Sequence, residues 1–310
     1  MVRRLVVAAC AVAISLAIPA GAAAHARTPT VALDYRLVLT PATKALPGIG
    51  VRILDGDRDL RIDAGRTTVV VHGDLREPML RIGLGGVFAN RASLTAVAER
   101  LTTNGHGWVR IGGGSSFTWH EHRLSPPPYD GGRAGTIAAF SIPISIDGRA
   151  ATIGGGFVRY HRPMLWPWLG GTAAVMLALA LAIWRRPSLR GRTAVVTGVV
   201  AGLAALAGLV AFDAADAPNG RVAWVQIVLG VALAAAVFAA MWRLRGTRRA
   251  HLAGVLGVVA GAVTLGSLDV FRHGVVISLF PAAASRLLCA VALAGGIVAA
   301  AASYLVDEAP

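Results

Sequence analysis

The chain has 310 residues, of which 55% are hydrophobic, and carries a formal net charge of +14. Mean hydropathy is +0.62, high for a soluble protein, and the apolar residues are unevenly placed. From about residue 166 they run in blocks of roughly 20, long enough to cross a bilayer, whereas the sequence before them is mixed and globular. Lys44 is the one lysine among 30 basic residues, and no stacking aromatics interleave with the arginines, which argues against nucleic-acid binding.

Residues 1–24 have the three parts of a secretory signal: basic Arg3 and Arg4, an apolar stretch from Leu5 to Ile18, and a small-residue end, Pro19 to Ala24. Cleavage after Ala24 leaves His25 as the new N-terminus; cleavage after Ala26 fits the small-residue rule as well. Of the two cysteines, Cys10 lies in this leader and Cys289 in an apolar block. The intervening domain therefore has neither a disulfide nor a thiolate metal site.

Residues 25–163 are expected to form an all-β extracytoplasmic sandwich, immunoglobulin-like in kind. Short alternating stretches separated by Gly, Pro or Asp occur at Tyr35–Thr40, Gly50–Leu54, Thr67–His72, Met79–Ile82, Trp108–Ile111, Ser116–His120, Ile137–Ile146 and Ala151–Tyr160. Residues 164–306 are expected to form an all-α bundle of five transmembrane helices, at about 166–184, 194–212, 222–242, 250–268 and 286–305. A short cytoplasmic tail, 307–310, completes the chain.

Arg185, Arg186, Arg190 and Arg192, then Arg243, Arg245, Arg248 and Arg249, cluster between the spans in the positive-inside pattern. This predicts a multi-pass cell-membrane protein, in contact with membrane lipid, with its β-domain outside and its C-terminus inside. Interfacial tryptophans at Trp166, Trp168, Trp184, Trp224 and Trp242 agree with the span ends. Gly198-x-x-x-Gly202 and Gly257-x-x-x-Gly261 allow close helix contact. The expected span centres lack Asp, Glu, Lys, Arg and His, which disfavours proton relays, haem sites and ion-coupled transport.

The chemistry-bearing motif is Trp119-His-Glu-His-Arg123. Histidines two apart fall on one side of an extended chain, so His120 and His122 can face one metal ion. Outside the cytoplasm, two imidazoles suit copper or zinc, and a third ligand is needed. His25, if it becomes terminal, would offer both an amine and an imidazole; His106 lies in a glycine-rich loop. Glu121 could add an oxygen ligand, although it would point to the opposite face of a regular strand. The competing reading is structural: the histidines tie a loop down beside a buried Trp119.

Other candidates are weaker. Asp55 to Asp63 superficially resembles a calcium loop, but it lacks glycine at the sixth position and has Arg66 at the twelfth, so a solvated hairpin fits better. Gly112–Gly114 and Gly154–Gly156 read as turns or bulges. No nucleophile with a base stands out, and the chain is not expected to be an enzyme.

The chain also resembles a group of actinobacterial-type membrane proteins. The segments that carry the likeness are Glu77-Pro-Met-Leu-Arg81, Gly86-Val-Phe-Ala-Asn90-Arg-Ala-Ser93 and Trp119-His-Glu-His-Arg123, with Asp269-Val-Phe-Arg-His273 and Pro281 to Arg286 later in the chain. The resemblance implies association with copper-resistance C and D and YcnI-type proteins, hence copper as the bound ion and such a protein as partner. It also favours leader cleavage before His25. Where that group continues its signature with Ile-His-Trp-Met, this chain has Leu124-Ser-Pro-Pro-Pro128, without the extra histidine and methionine.

Overall fold

A computed structural model describes residues 31–54, 58–126, 133–215 and 224–306. The expected leader, His25 and the tail 307–310 lie outside the described residues. The described residues divide into a β unit, Asp34–His161, and a helical unit made of 31–33 and the described residues from Arg162 onward. The first strand, β1 (Ala32–Leu33), belongs to the helical unit.

The β unit contains β2 (Tyr35–Leu39), helix α1 (Pro41–Lys44), β3 (Gly50–Leu54), β4 (Asp59–Asp63), β5 (Val69–His72), β6 (Pro78–Gly83) and β7 (Gly86–Asn90). Helix α2 (Leu94–Ala98), β8 (Trp108–Gly112), β9 (Ser116–His120), β10 (Gly135–Ile146) and β11 (Arg149–Arg159) complete it. Seven strands form one antiparallel sheet in the order β2-β11-β10-β5-β6-β7-β8, and β3-β4-β9 form a second. The arrangement is sandwich-like. Leu60, Ile62 and Trp119 of the small sheet share one buried core with Val69, Val71, Leu80, Ile82, Ile142 and Ile144 of the large one. In β4, β5 and the second half of β10, alternate residues face inward, as the two-residue period of a pleated strand requires. The division is seven and three, where an immunoglobulin constant-type domain has four and three.

The long β10–β11 hairpin turns through Asp147 and Gly148, both at positive φ (48° and 81°). That is the two-residue geometry favoured by an Asp-Gly pair. Gly154–Gly156 is not a turn, as its composition suggests, but the middle of β11. Phe140 lies directly opposite Gly155, and a Cβ on Gly155 would come within 2.3 Å of that ring. The glycine makes room for an aromatic ring that belongs to the core. The stretch that resembles a calcium loop ends in strand: Asp59 pairs with Leu54 across the β3–β4 hairpin.

The helical unit contains α3 (Trp166–Arg185), α4 (Arg190–Ala215), α5 (Trp224–Arg243), α6 (Gly246–Leu265) and α7 (Ala282–Leu305). The expectation of five spans requires correction. Among the described residues three helical stretches are long and apolar enough to cross a membrane: Trp166–Arg185, Pro187–Ala215 and Ala282–Leu305. Helix α6 falls short because Arg248, Arg249 and His251 occupy its first turns, and of these Arg248 and Arg249, expected in a loop, are helical. Helix α5 contributes, among the described residues, the apolar stretch Gly230–Arg243.

Small residues bring α4, α6 and α7 together. A Cβ on Gly198 would lie 2.3 Å from the carbonyl oxygen of Ala253, and one on Gly296 would lie 2.4 Å from that of Gly257. Arg190 donates to the carbonyls of Ile183 (3.3 Å) and Leu305 (3.0 Å), at the C-terminal ends of α3 and α7, where a cation meets orphan carbonyls. Strand β1 pairs with β12 (Val275–Val276), with Ala32 opposite Val276 and Leu33 opposite Val275.

Candidate metal centre

Strand β9 ends at His120, Glu121 remains extended, and a single 3₁₀ turn spans His122–Leu124. Alternation therefore sends Trp119 (3% exposed) and Glu121 (1% exposed) inward and leaves His120 and His122 on the exposed side. A carboxylate that deeply buried needs partners. Arg123 donates Nε to Oε1 (2.6 Å) and Nη2 to Oε2 (2.7 Å) in a bidentate pair, and the Trp119 indole N–H donates to Oε2 (3.1 Å). Arg123 Nη1 also reaches the carbonyl of His72 (2.9 Å), tying the turn to β5. Burial works against the Arg123 cation, but the Glu121 hydrogen bonds and charge outweigh it and hold the guanidinium above its ordinary pKa.

His122 has both ring nitrogens engaged. Nδ1 is hydrogen-bonded to Glu99, the residue that ends α2, and Nε2 lies 3.0 Å from Asp74 Oδ2 in the β5–β6 turn. The backbone N–H of His122 also donates to Glu99 Oε1 (3.1 Å). Burial lowers the pKa of this ring, yet the Glu99 hydrogen bond and the charges of Asp74, Glu121 and Glu99 raise it above 6.5. His122 thus sits between two carboxylates that favour its charged form.

His120 has a different neighbour. Its Nδ1 lies 3.6 Å from Oδ1 of Asp59, its cross-strand partner on β4. The donors that lie within 4.8 Å of one another are those of Glu99, Glu121 and His122, and His120 is not among them. His106 sits in the loop before β8, and His72 spans Ser145 Oγ (2.8 Å) and the carbonyl of Arg76 (3.2 Å).

The two upstream motif segments meet the same corner. Glu77 accepts from Ser93 Oγ (2.7 Å) and the Thr95 N–H (3.3 Å) through Oε1, and from the Leu75 N–H (3.0 Å) through Oε2. Burial alone would raise its pKa; the hydroxyls of Ser93 and Thr95 and the backbone N–H groups of Glu77 and Thr95 bring it down to about 2. Asn90 Nδ2 donates to the carbonyl of Pro78 (2.8 Å), and the Asp74 N–H donates to Thr95 Oγ1 (3.0 Å). Arg81 lies over the rings of Phe88 (4.7 Å) and Trp108 (5.1 Å). The motif residues are therefore chiefly partners of one another. Sequence reasoning missed Asp74 and Glu99: one lies in a Gly-Asp turn and the other at a helix end, and neither position carries a pattern that points to His122.

No family model, curated protein or solved structure matches this chain.

Proposed function

We propose that the chain is a membrane-anchored metal-handling protein, with His122 and Asp74 as the ligands and Glu99 as the group that orients the imidazole. One observation carries this reading: a ring with Nδ1 held by a nearly buried carboxylate and Nε2 3.0 Å from an exposed one. A carboxylate on the far nitrogen fixes the tautomer and raises the basicity of a ligating histidine. Nitrogen and carboxylate oxygen donors fit copper(II) or zinc, and copper(II) is the ion the family resemblance favours. The set suits copper(I) less well, since that ion favours soft sulfur ligands and Met79, the methionine of the upstream motif, is fully buried in the core. Glu121 is unsuitable as a ligand because Arg123 takes both its oxygens. His120 with Asp59 offers a second nitrogen and oxygen pair, and His25 remains the third ligand expected from the sequence.

In this reading the apolar helices anchor the chain, and the arginines at their ends favour the β unit outside the cytoplasm and the C-terminus inside. A copper-resistance C or D or YcnI-type protein would be the partner. The decisive experiment is copper(II) titration of the full chain in detergent against a competing chelator. His122→Ala should abolish tight binding, and Glu99→Gln, which leaves the ligands in place, should weaken it by roughly 10–100-fold. Unchanged affinity in both variants, with a lowered unfolding temperature, would favour the second reading. There the signature is purely structural and the β unit binds a protein; the closed network around Glu121 speaks for it.

A further inference from the structure

Helix α3 touches the rest of the helical unit sparingly: in its apolar window only 6% of the residues are buried. Between it and α7 lies a groove of about 470 Å³, walled by Trp168, Thr172 and Met176 on one side and by Ala290 and Leu293 on the other. Its lining runs from Leu165 to Met176, about 16 Å along a helix axis. That is close to half of a hydrocarbon core of about 30 Å, the depth of one leaflet. A void of this size between apolar helices forfeits dispersion contacts unless something fills it.

The end of the groove is of another character. Leu268, Phe271 and Arg272 close it, with the Phe271 ring 6.0 Å from that of Trp168. Arg272 is 71% exposed, and among the described residues the carboxylate that pairs with it, Asp269, stands 3.8 Å away, which leaves most of its five N–H donors open to another acceptor. The loop that carries Arg272 is held from beneath by Arg286. This side chain (9% exposed) donates Nε to the carbonyl of Val270 (2.7 Å) and Nη2 to those of His273 (3.0 Å) and Gly274 (3.5 Å). A second positive charge, bonded to carbonyls, thus lies one helical turn before Ala290 on the α7 wall.

We infer that this groove is a binding site for one anionic phospholipid, with an acyl chain between α3 and α7 and its phosphate on Arg272. Arg286 is a positioning residue that fixes the loop. The inference is independent of the metal reading, since it uses no residue of the β unit.

Native mass spectrometry of the full chain, released from nanodiscs of phosphatidylcholine and phosphatidylglycerol in equal amounts, tests it. The wild type should retain one phosphatidylglycerol in preference to phosphatidylcholine. Arg272→Gln removes a positive charge that favours the net anionic headgroup over the zwitterionic one and should cut that preference by roughly tenfold. Thr172→Trp fills the groove and should abolish retention, with circular dichroism confirming unchanged helix content. The inference is overturned by equal retention of the two lipids in the wild type. Retention unaltered in both variants, displacement of the lipid by inorganic phosphate, or a dimer that seals the groove without lipid would overturn it too.

Discussion

Glu121 and Arg123 show how one buried carboxylate organises a whole corner. Both oxygens of Glu121 are engaged by Arg123, and the indole of Trp119 adds a third donor. Removing one partner of such a pair leaves an uncompensated buried charge, at a cost of about 3–5 kcal/mol. Arg123→Ala should lower β-unit stability by that amount in urea unfolding, while an exposed control such as Arg100→Ala should change little. His122 supplies a pH signature of the opposite kind. Its folded pKa is raised above 6.5. Its ion-pair stabilisation is therefore fully present below pH 6.5 and is lost as the pH rises through the folded value. The gap in unfolding midpoint between wild type and His122→Gln should be widest in mild acid and close toward alkaline pH. Metal binding runs the other way, because a ligating imidazole must first lose its proton. At this scale the sequence singled out Trp119 to Arg123 and put Glu121 on the face opposite the two histidines, though it also offered Glu121 as an oxygen ligand. It could not identify Asp74 and Glu99, which lie 48 and 23 positions before His122 and reach it only through tertiary folding.

Among the elements, strands with clear alternation were legible and strands set by their neighbours were not. Gly50–Leu54 and Ser116–His120 occur at the bounds expected from their pattern. Strand β4 was missed because its terminal aspartates suggest a loop, although Leu60 and Ile62 alternate inward between them. Strand β7 was missed because five residues between glycine and asparagine carry too weak a period. Pairing of β1 with β12 joins residues more than 240 positions apart, a relation no local pattern encodes. Glycine in β11 is the instructive case. Three in a row read as a turn, yet Gly155 sits mid-strand because Phe140 occupies the space a side chain would need. Gly155→Ala should therefore destabilise the β unit by about 1–3 kcal/mol, the usual cost of overpacking. Thermal unfolding of Gly155→Ala with and without Phe140→Leu checks this: the second change should recover part of the loss. Among the helices, basic residues mislead. Arg190, Arg192, Arg248 and Arg249 read as loop residues but extend α4 and α6, because long side chains carry their charge away from the helix they belong to.

For the whole molecule, the order of parts was legible: mixed sequence forms a β unit, and apolar blocks form helices. The boundary was less so. The helical unit does not begin where the apolar blocks begin, because Ala32 shares a small apolar cluster with Phe212, Val270, Val276 and Cys289. A polypeptide begun at Asp34 would lack that strand. The backbone N–H of Tyr160 donates to the carbonyl of Asp34 (2.9 Å), so the β unit starts and finishes at one spot. In engineering terms, the β unit is a segment whose two ends lie side by side. Its two ends are near enough for a short linker to close them, which makes it open to circular permutation, to excision, or to replacement by another module.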